Sequence, residues 1–474
     1  MWTSECDPVR AGGMTFHELV GESIARYGDD VALVDGATGD EVTYARLSRR
    51  ADLVAALLAA GGFGPGDVLA LQAPNVPAWA GIALGAMRVG GAVTGVGAAA
   101  TADEVGRQMA DAGAQTLLTA DDITWDLVSV RRPPSRPRVE PEALALLPYS
   151  SGTSGLPKGV MITHANLVTA VRQVQRGIRL TPADTVVALA PFSHVMGFVI
   201  TLGTALAAGA RVVTVPRFEP QGFIDLLERH RVSIVIVPPP VMPLLARSPR
   251  DLPAVELIVS GGAPLGAELQ RAVAERFPHA AVGQGYGLTE TTAVATIPDR
   301  ARGTEPGSCG RIAPSTEVRV VEGELLVRGP QTMAGYLSRP DATAEILDGD
   351  GWLRTGDAGR IDAGGNVYIA DRLKELIKVN ALQVAPAELE ALLGTHPAVA
   401  ECAVVPRPDE RCGEVPVAVV VARGEVDADE LMAFIAERVA PHKRIRAVRF
   451  VDQIPRTPAG KILRRLLRSQ PSYV

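Results

Sequence analysis

Tyr149-Ser150-Ser151-Gly152-Thr153-Ser154-Gly155-Leu156-Pro157-Lys158-Gly159 packs four Ser/Thr hydroxyls, three glycines and one lysine into eleven residues. This is a poor recipe for a core and a good one for gripping polyphosphate. Glycines let backbone N–H groups approach a ligand closely and adopt positive φ. Hydroxyls and successive amides form an anion-binding concavity, and Lys158 adds a full positive charge. The spacing is not that of a Walker A loop, because no Gly-Lys-Ser/Thr closes a four-residue gap. A shorter or lysine-free stretch would read as a flexible turn; at this density phosphate binding is the stronger reading. The apolar run Ala143 to Pro148 reads as a buried strand leading in, and His164 to Arg176 as a helix leading out.

Outward from this loop, strand and helix signals alternate. Val68–Leu71, Gly90–Val96, Thr116–Thr119, Thr185–Ala190, Ser233–Val237 and Leu257–Ser260 read as strands, with Pro77–Arg88, Asp103–Ala112 and Gly222–Arg231 as helices between them. Such alternation argues for parallel sheets covered by helices on both faces. Phe198–Ala210 reads as one buried helix, and the Pro/Arg-rich Arg131–Arg138 as a surface connection. From Ser308 to Gly365 short alternating segments separated by Gly-containing turns read as antiparallel β. Beyond Asp371-Arg372 a separate set of apolar runs begins, large enough for a small domain of its own. The fold class is therefore α/β. Residues 1–371 form a large N-terminal domain of parallel sheets plus a small antiparallel β subdomain, and 372–474 a small α+β C-terminal domain.

A chain of 474 residues is too long for one ordinary core, and 47 % hydrophobic with 21 % charged residues is globular. A formal charge of −6 leaves no basic footprint for nucleic acid. Met1 to Met14 carries Glu5, Asp7 and Arg10 and no apolar run, unlike a signal peptide. Phe198 to Ala210 is shorter than a membrane span needs. Cys6, Cys309, Cys402 and Cys412 show no paired metal spacing; Cys402 and Cys412 can in principle pair, but free buried thiols suit a reducing cytoplasm better. The expectation is a soluble cytoplasmic protein, monomer or homodimer, with small-molecule partners and neither nucleic acid nor membrane.

Ser150–Gly159 resembles the signature loop of the adenylate-forming superfamily, which includes acyl- and aryl-CoA synthetases, and most resembles its coumarate–CoA ligase-like branch. The resemblance runs from roughly residue 15 to 468. It implies ATP and Mg2+, with Ser150, Ser151, Gly152, Thr153, Ser154, Gly155 and Lys158 on the phosphates. Gly283-Gln284-Gly285-Tyr286-Gly287-Leu288-Thr289-Glu290 is similar to a second fingerprint. There small residues leave room for a flat ligand, Tyr286 can stack on a purine, Thr289 can bind a phosphate oxygen, and Glu290 is the magnesium carboxylate. Gly262, Ala263 and Pro264 would line the adenine and acyl pockets, and Gly262, Gly285 and Gly287 would keep an acyl tunnel open. In Gly351-Trp352-Leu353-Arg354-Thr355-Gly356-Asp357 the carboxylate of Asp357 would accept both ribose hydroxyls, with Arg372 as second contact. Asp371–Glu375 resembles the hinge of a mobile C-terminal domain, with Lys374 near the pivot.

His194 follows a strand end, where open α/β sheets place ligands, and its Pro191-Phe192-Ser193-His194 setting matches a family motif near the acyl carboxylate. The family more often has Phe where Ser193 stands, implying a more polar pocket wall. Lys461, in Pro455–Lys461, matches the catalytic lysine that neutralises charge as pyrophosphate leaves. Lys378 and Gln383 match two further polar contacts. Two segments depart from the pattern. CoA-using relatives usually read Lys-x-x-Gly-x-Gln-Val where this chain has Lys378-Val379-Asn380-Ala381-Leu382-Gln383-Val384. A Cβ at Ala381 would narrow the pantetheine tunnel, which sets it against CoA as cofactor. Ala98-Ala99-Ala100-Thr101 replaces an Asn-Pro-x-Tyr-Thr and has no assigned consequence.

The resemblance implies an AMP-forming ligase acting on a small, aromatic or cinnamate-like carboxylate, then conventionally on CoA. The alternative is a CoA-independent adenylate-forming enzyme, including an ATP-dependent diazotase activating nitrite toward an arylamine. A nucleotide-binding regulator without catalysis is a third reading; Lys461, Glu290 and Asp357 oppose it.

Overall fold

A computed structural model of the chain describes residues 1–119, 122, 137–150, 157–380, 382–409, 411–457 and 460–469. Ile234–Val237 and Leu257–Ser260 are uniformly apolar over most of their length, and both lie buried inside a seven-stranded sheet. Its order is Ala281–Gln284, Leu257–Ser260, Ile234–Val237, Thr185–Ala188, Arg211–Thr214, Val31–Asp35 and Glu41–Thr43. All neighbours run parallel except the last, which is hairpin-paired to Val31–Asp35. Both faces are covered, as a parallel sheet requires. Val186, Ile234 and Ile236 face a core shared with the second sheet, while Val187, Val235 and Val237 face a core under helices 220–229 and 267–276.

The second sheet has the order Gly335–Tyr336, Lys158–Thr163, Leu144–Leu146, Ala92–Val96, Val68–Gln72, Thr116–Thr119. Here the expectation needs correcting, because the sheet is mixed. Lys158-Gly159-Val160-Met161-Ile162-Thr163 is a strand antiparallel to Leu144–Leu146, and Gly335–Tyr336 adds antiparallel to it. Val160 and Ile162 are fully buried, a period-2 signal too short to stand out beside the loop. The signature loop is thus not a strand-to-helix connection. Tyr149 pairs with Gly159 and Ser150 with Lys158, so its two flanks are the legs of a hairpin. Thr163 then caps the helix His164–Ile178 through a reciprocal box with Asn166.

Glu317–Val321, Glu324–Arg328, Leu353–Ile361 and Val367–Arg372 form the antiparallel subdomain, with Trp2–Thr3 added on its edge. The segment expected as one buried helix is π-helical over Met196–Gly203 and α-helical over Thr204–Ala208. Gly197 there leaves no space for a side chain, since a Cβ would sit 2.2 Å from the Pro191 carbonyl. The C-terminal region builds its own sheet from Ile377–Val379, Leu382–Val384, Val399–Asp409, Gly413–Ala422 and Ala447–Phe450. Helices Pro386–Leu393 and Ala428–Ala436 bury Leu389, Leu393, Leu431 and Ile435 against it. No helix among the described residues is long and apolar enough to cross a membrane. All four cysteines are free; Cys309 and Cys402 are buried as expected, whereas Cys6 is exposed.

Candidate active site

Asp357 lies on the strand Leu353–Ile361 and is buried, its register partner being Arg372 on Val367–Arg372. The strand pairing puts the guanidinium on the carboxylate: Arg372 Nε is 2.8 Å from Asp357 Oδ1. Tyr286, at the turn after Ala281–Gln284, donates its hydroxyl to Asp357 Oδ2 at 2.5 Å. Its ring packs on the subdomain core of Ala295, Ile312 and Val327. Burial raises the carboxyl pKa of Asp357, against the pull of Arg372, Tyr286 and Lys461. The same burial, and then Asp357, pushes the Tyr286 phenol up. Lys461 arrives from the C-terminal region. Burial depresses its ammonium, Arg372 adds to that, and Glu375 and Asp357 oppose it.

The loop presenting Lys461 is held by its own bonds. Thr457 N–H donates to the Lys461 carbonyl at 2.8 Å, and Arg456 Nη1 to that of Gly460 at 3.0 Å. Just beyond, Arg464 forks between Glu375 and Glu390, touching the two Glu390 oxygens at 2.8 and 2.7 Å. The segment that follows Arg372 is therefore tied to the helix Arg464–Ser469, which begins just after Lys461.

A second cluster joins the signature hairpin to Glu290. Tyr336 donates its hydroxyl to Glu290 Oε1 at 2.6 Å, and Lys158 Nζ lies 4.7 Å from the centre of the Tyr336 ring. Ser150 stands opposite Lys158 in the same hairpin. Burial, and then Glu290, raise the phenol pKa. Met333 N–H donates to the Glu290 carbonyl at 2.9 Å, and Asn166 Nδ2 holds the carbonyls of Pro330 and Thr332, both at 2.9 Å. No group of three acidic, His or Cys side chains able to hold a metal alone occurs among the described residues. Glu290 offers a single carboxylate, which suits Mg2+ completing its shell with phosphate oxygens and water.

His194 follows the strand Thr185–Ala188 in a separately braced loop. Asn75, buried between the two sheets, donates to the carbonyls of Ala188 and Ala190 at 2.9 and 2.8 Å and accepts from Phe192 N–H at 2.8 Å. Phe192 packs on Trp79, 5.9 Å between ring centres. Met196 N–H donates to His194 Nδ1 at 3.2 Å, so the neutral ring carries its proton on Nε2. Burial lowers the His194 pKa and favours that neutral form.

Ser150, Lys158, Tyr286, Glu290, Asp357, Arg372 and Lys461 come together in these contacts. Gly262, Ala263 and Pro264 follow the strand Leu257–Ser260, and Gly285 N–H bonds the Ser260 carbonyl at 3.0 Å. Thr289 opens the short turn that carries Glu290. At Gly287 a Cβ would lie 2.1 Å from the Ala293 carbonyl, so the backbone packing of this turn itself requires a glycine. Lys378 and Gln383 are not brought in; both are exposed, opposite each other on a hairpin, with Lys378 N–H on Glu414 Oε2 at 2.8 Å. Ser151, Gly152, Thr153, Ser154, Gly155 and Ala381, with most of Arg131–Arg138, lie outside the described residues. Tyr336 and Asn75 escaped the sequence reading. The chain has only 7 tyrosines, so one placed after a glycine beside a strand was the available signal.

Beside the two α/β sheets, Tyr286, the buried Asp357–Arg372 ion pair and the hairpin bearing Lys158 are thus drawn into one region, next to a small C-terminal region with a sheet of its own. The family model described as AMP-binding enzyme matches residues 20–337, and that of the AMP-binding enzyme C-terminal domain matches 388–461. The chain belongs to the AMP-binding enzyme family, the adenylate-forming ligases, and has CoA ligase relatives. It is 37 % identical to 4-coumarate–CoA ligase 3 of Oryza sativa subsp. japonica, over 96 % of this chain and 92 % of that protein. It is 36 % identical to 4-coumarate–CoA ligase of Pinus taeda, over 96 % and 95 %. Among solved structures, ATP-bound MatB from Rhodopseudomonas palustris superposes with a TM-score of 0.85 at 28 % identity, covering 97 % of this chain and all of that one. The anthranilate CoA ligase AuaEII, in complex with anthranoyl-AMP, shares the fold at a TM-score of 0.89 and 23 % identity, over 97 % and 98 %.

Proposed function

We propose that this enzyme adenylates a small, aromatic or cinnamate-like carboxylate with ATP, releases pyrophosphate, and passes the acyl group to an acceptor, conventionally CoA. The observation that carries the reading is the convergence of Lys158, Glu290, Asp357, Arg372 and Lys461, from both domains, on one site. A carboxylate oxygen attacks the α-phosphorus, the bond to the β-phosphate oxygen breaks, and an acyl-AMP anhydride remains. Ser150 to Gly155 and Lys158 hold the phosphates with Thr289. Tyr286 stacks on adenine; Asp357 and Arg372 hold the ribose; Gly262, Ala263, Pro264 and Gly285 line the pockets. Mg2+ held by Glu290 and the phosphates would screen the charge on the leaving pyrophosphate. Lys461 neutralises charge as pyrophosphate departs, and the neutral Nε2–H of His194 faces the carboxylate.

The domain boundary falls at 371/372, so that residues 372–474 turn about Asp371–Lys374 and bring Lys378 and Gln383 in for transfer. The setting is cytoplasmic, the enzyme a monomer or homodimer. Ala381 supports a second reading, in which nitrite or a carboxylate is activated and the acceptor is not CoA. A pyrophosphate-release panel tests both: aryl and cinnamate-like acids with and without CoA, and nitrite with aminoaryl acids. Pyrophosphate and thioester with an acid plus CoA support the first reading. Nitrite-dependent release alone supports the second, and release with no substrate overturns both.

A further inference from the structure

Tyr336 stands in no motif that the site readings used, yet its side chain touches both the signature hairpin, at Lys158, and Glu290. It is 7 % exposed, and the strand Gly335–Tyr336 pairs directly with Lys158–Thr163, Tyr336 opposite Val160. Its backbone is fixed on either side: Ala334 N–H bonds the Met161 carbonyl and Leu337 N–H that of Gly159, each at 2.9 Å. From this rigid seat the hydroxyl reaches Glu290 Oε1 at 2.6 Å and the ring carries the Lys158 ammonium at 4.7 Å. Glu290 Oε2 has no protein partner among the described residues.

We propose that Tyr336 is a positioning residue that sets the metal carboxylate and the phosphate lysine against each other. Its phenol holds one oxygen of Glu290 and so turns the other, Oε2, toward the metal–phosphate site. Its ring holds the Lys158 ammonium by a cation–π contact, which keeps the lysine from collapsing onto Glu290 when no nucleotide is bound. A hydrogen bond to the outer oxygen of a metal carboxylate fixes its orientation, and loss of such partners typically lowers metal affinity about 10–100-fold. The two functions of the side chain are separable, because phenylalanine keeps the ring and removes the hydroxyl.

This inference rests on the adenylation reading. Its test uses the full chain, wild type and the Tyr336→Phe, Tyr336→Leu and Glu290→Gln variants. Mn2+ binding in the presence of a non-hydrolysable ATP analogue is followed by electron paramagnetic resonance, and analogue binding in EDTA by calorimetry. Tyr336→Phe is expected to weaken Mn2+ binding about tenfold while metal-free nucleotide binding stays within about twofold. Tyr336→Leu should additionally weaken the metal-free binding about fivefold, through Lys158. In the Glu290→Gln background Tyr336→Phe should add nothing. Unchanged Mn2+ affinity in Tyr336→Phe, or an effect that persists undiminished beside Glu290→Gln, overturns the proposal. If the wild-type protein binds no metal–nucleotide at all, it is the adenylation reading that fails. Matching melting temperatures of wild type and Tyr336→Phe exclude a folding defect as the cause.

Discussion

Lys461 and the pair Lys378/Gln383 belong to the same small C-terminal region, yet their surroundings differ sharply. Lys461 is sunk beside Asp357, Arg372 and Glu375, enough for burial to depress its pKa. Lys378 and Gln383 stand exposed across a hairpin whose nearest acidic partner is Glu414. One small domain thus carries two polar edges, and only one faces the Asp357–Arg372 pair. The difference teaches that a single arrangement cannot serve both steps of the proposed reaction. An ammonium needed while pyrophosphate leaves would obstruct an acceptor arriving along the same side. Arg464, forked onto Glu375 and Glu390, ties the helix that begins just after Lys461 to the segment after Arg372.

The comparison breaks most decisively if Lys461→Ala fails to separate the two steps. Pyrophosphate exchange with ATP and acid should fall about 10²–10³-fold, the scale for losing one preorganised charge from a transition state. Transfer from chemically supplied acyl-adenylate should change less than about threefold. The mirror variant, Lys378→Ala with Gln383→Ala, should leave pyrophosphate exchange within about twofold and slow transfer about tenfold. Equal losses in both assays for either variant would merge the two edges into one site.

A third measurement sharpens the contrast from the large domain. Asn75→Ala strips partners from the Phe192 N–H and from the Ala188 and Ala190 carbonyls, all buried. Unfolding should become easier by about 2 kcal/mol, and KM for the acid should rise while KM for ATP does not, since Asn75 supports the His194 loop alone. A uniform rise in both would mean that the loop is not an independent unit.

Much of this arrangement was legible in the sequence, for identifiable reasons. Pro77–Arg88, Thr116–Thr119 and Leu257–Ser260 have the expected bounds because proline entry, β-branched composition and glycine-rich exits are local signals. The antiparallel subdomain was legible from its alternation, but its edge strand Trp2–Thr3 was not, since two residues carry no period. The strand Lys158–Thr163 was hidden by the loop it closes. Within the site, Tyr286, Asp357 and Lys461 stood out through the resemblance of their segments to family motifs. Tyr336 and Asn75 act through partners 46 and 117 residues away, Glu290 and Phe192, and no local pattern encodes such pairings. The close approach of the Ala293 carbonyl to Gly287 was not legible either, because a glycine that admits a ligand and one that admits a neighbouring carbonyl look alike in sequence.

The smallest effect concerns pH, and its sign follows from burial. The working form of Lys461 is the ammonium, and burial lowers its pKa from the ordinary 10.5, Arg372 adding to the shift. Pyrophosphate exchange should therefore be full below that lowered pKa and decline as pH rises through it, earlier than an exposed lysine would allow. Asp357 acts at the other end. Its pKa is raised by burial, so exchange should be lost on acidification from a higher pH than an ordinary aspartate would give. Arginine stays protonated far beyond the lysine range. Lys461→Arg should thus carry the alkaline limb upward by about one unit or more, leave the acid limb in place, and lower the maximum through its different shape. Under the proposed turn of residues 372–474, which takes Lys461 out of the site, transfer from supplied adenylate should show no such limb in either protein. If the alkaline limb stays put in Lys461→Arg, the buried ammonium is not the group that titrates, and the contrast between the two edges loses its electrostatic half.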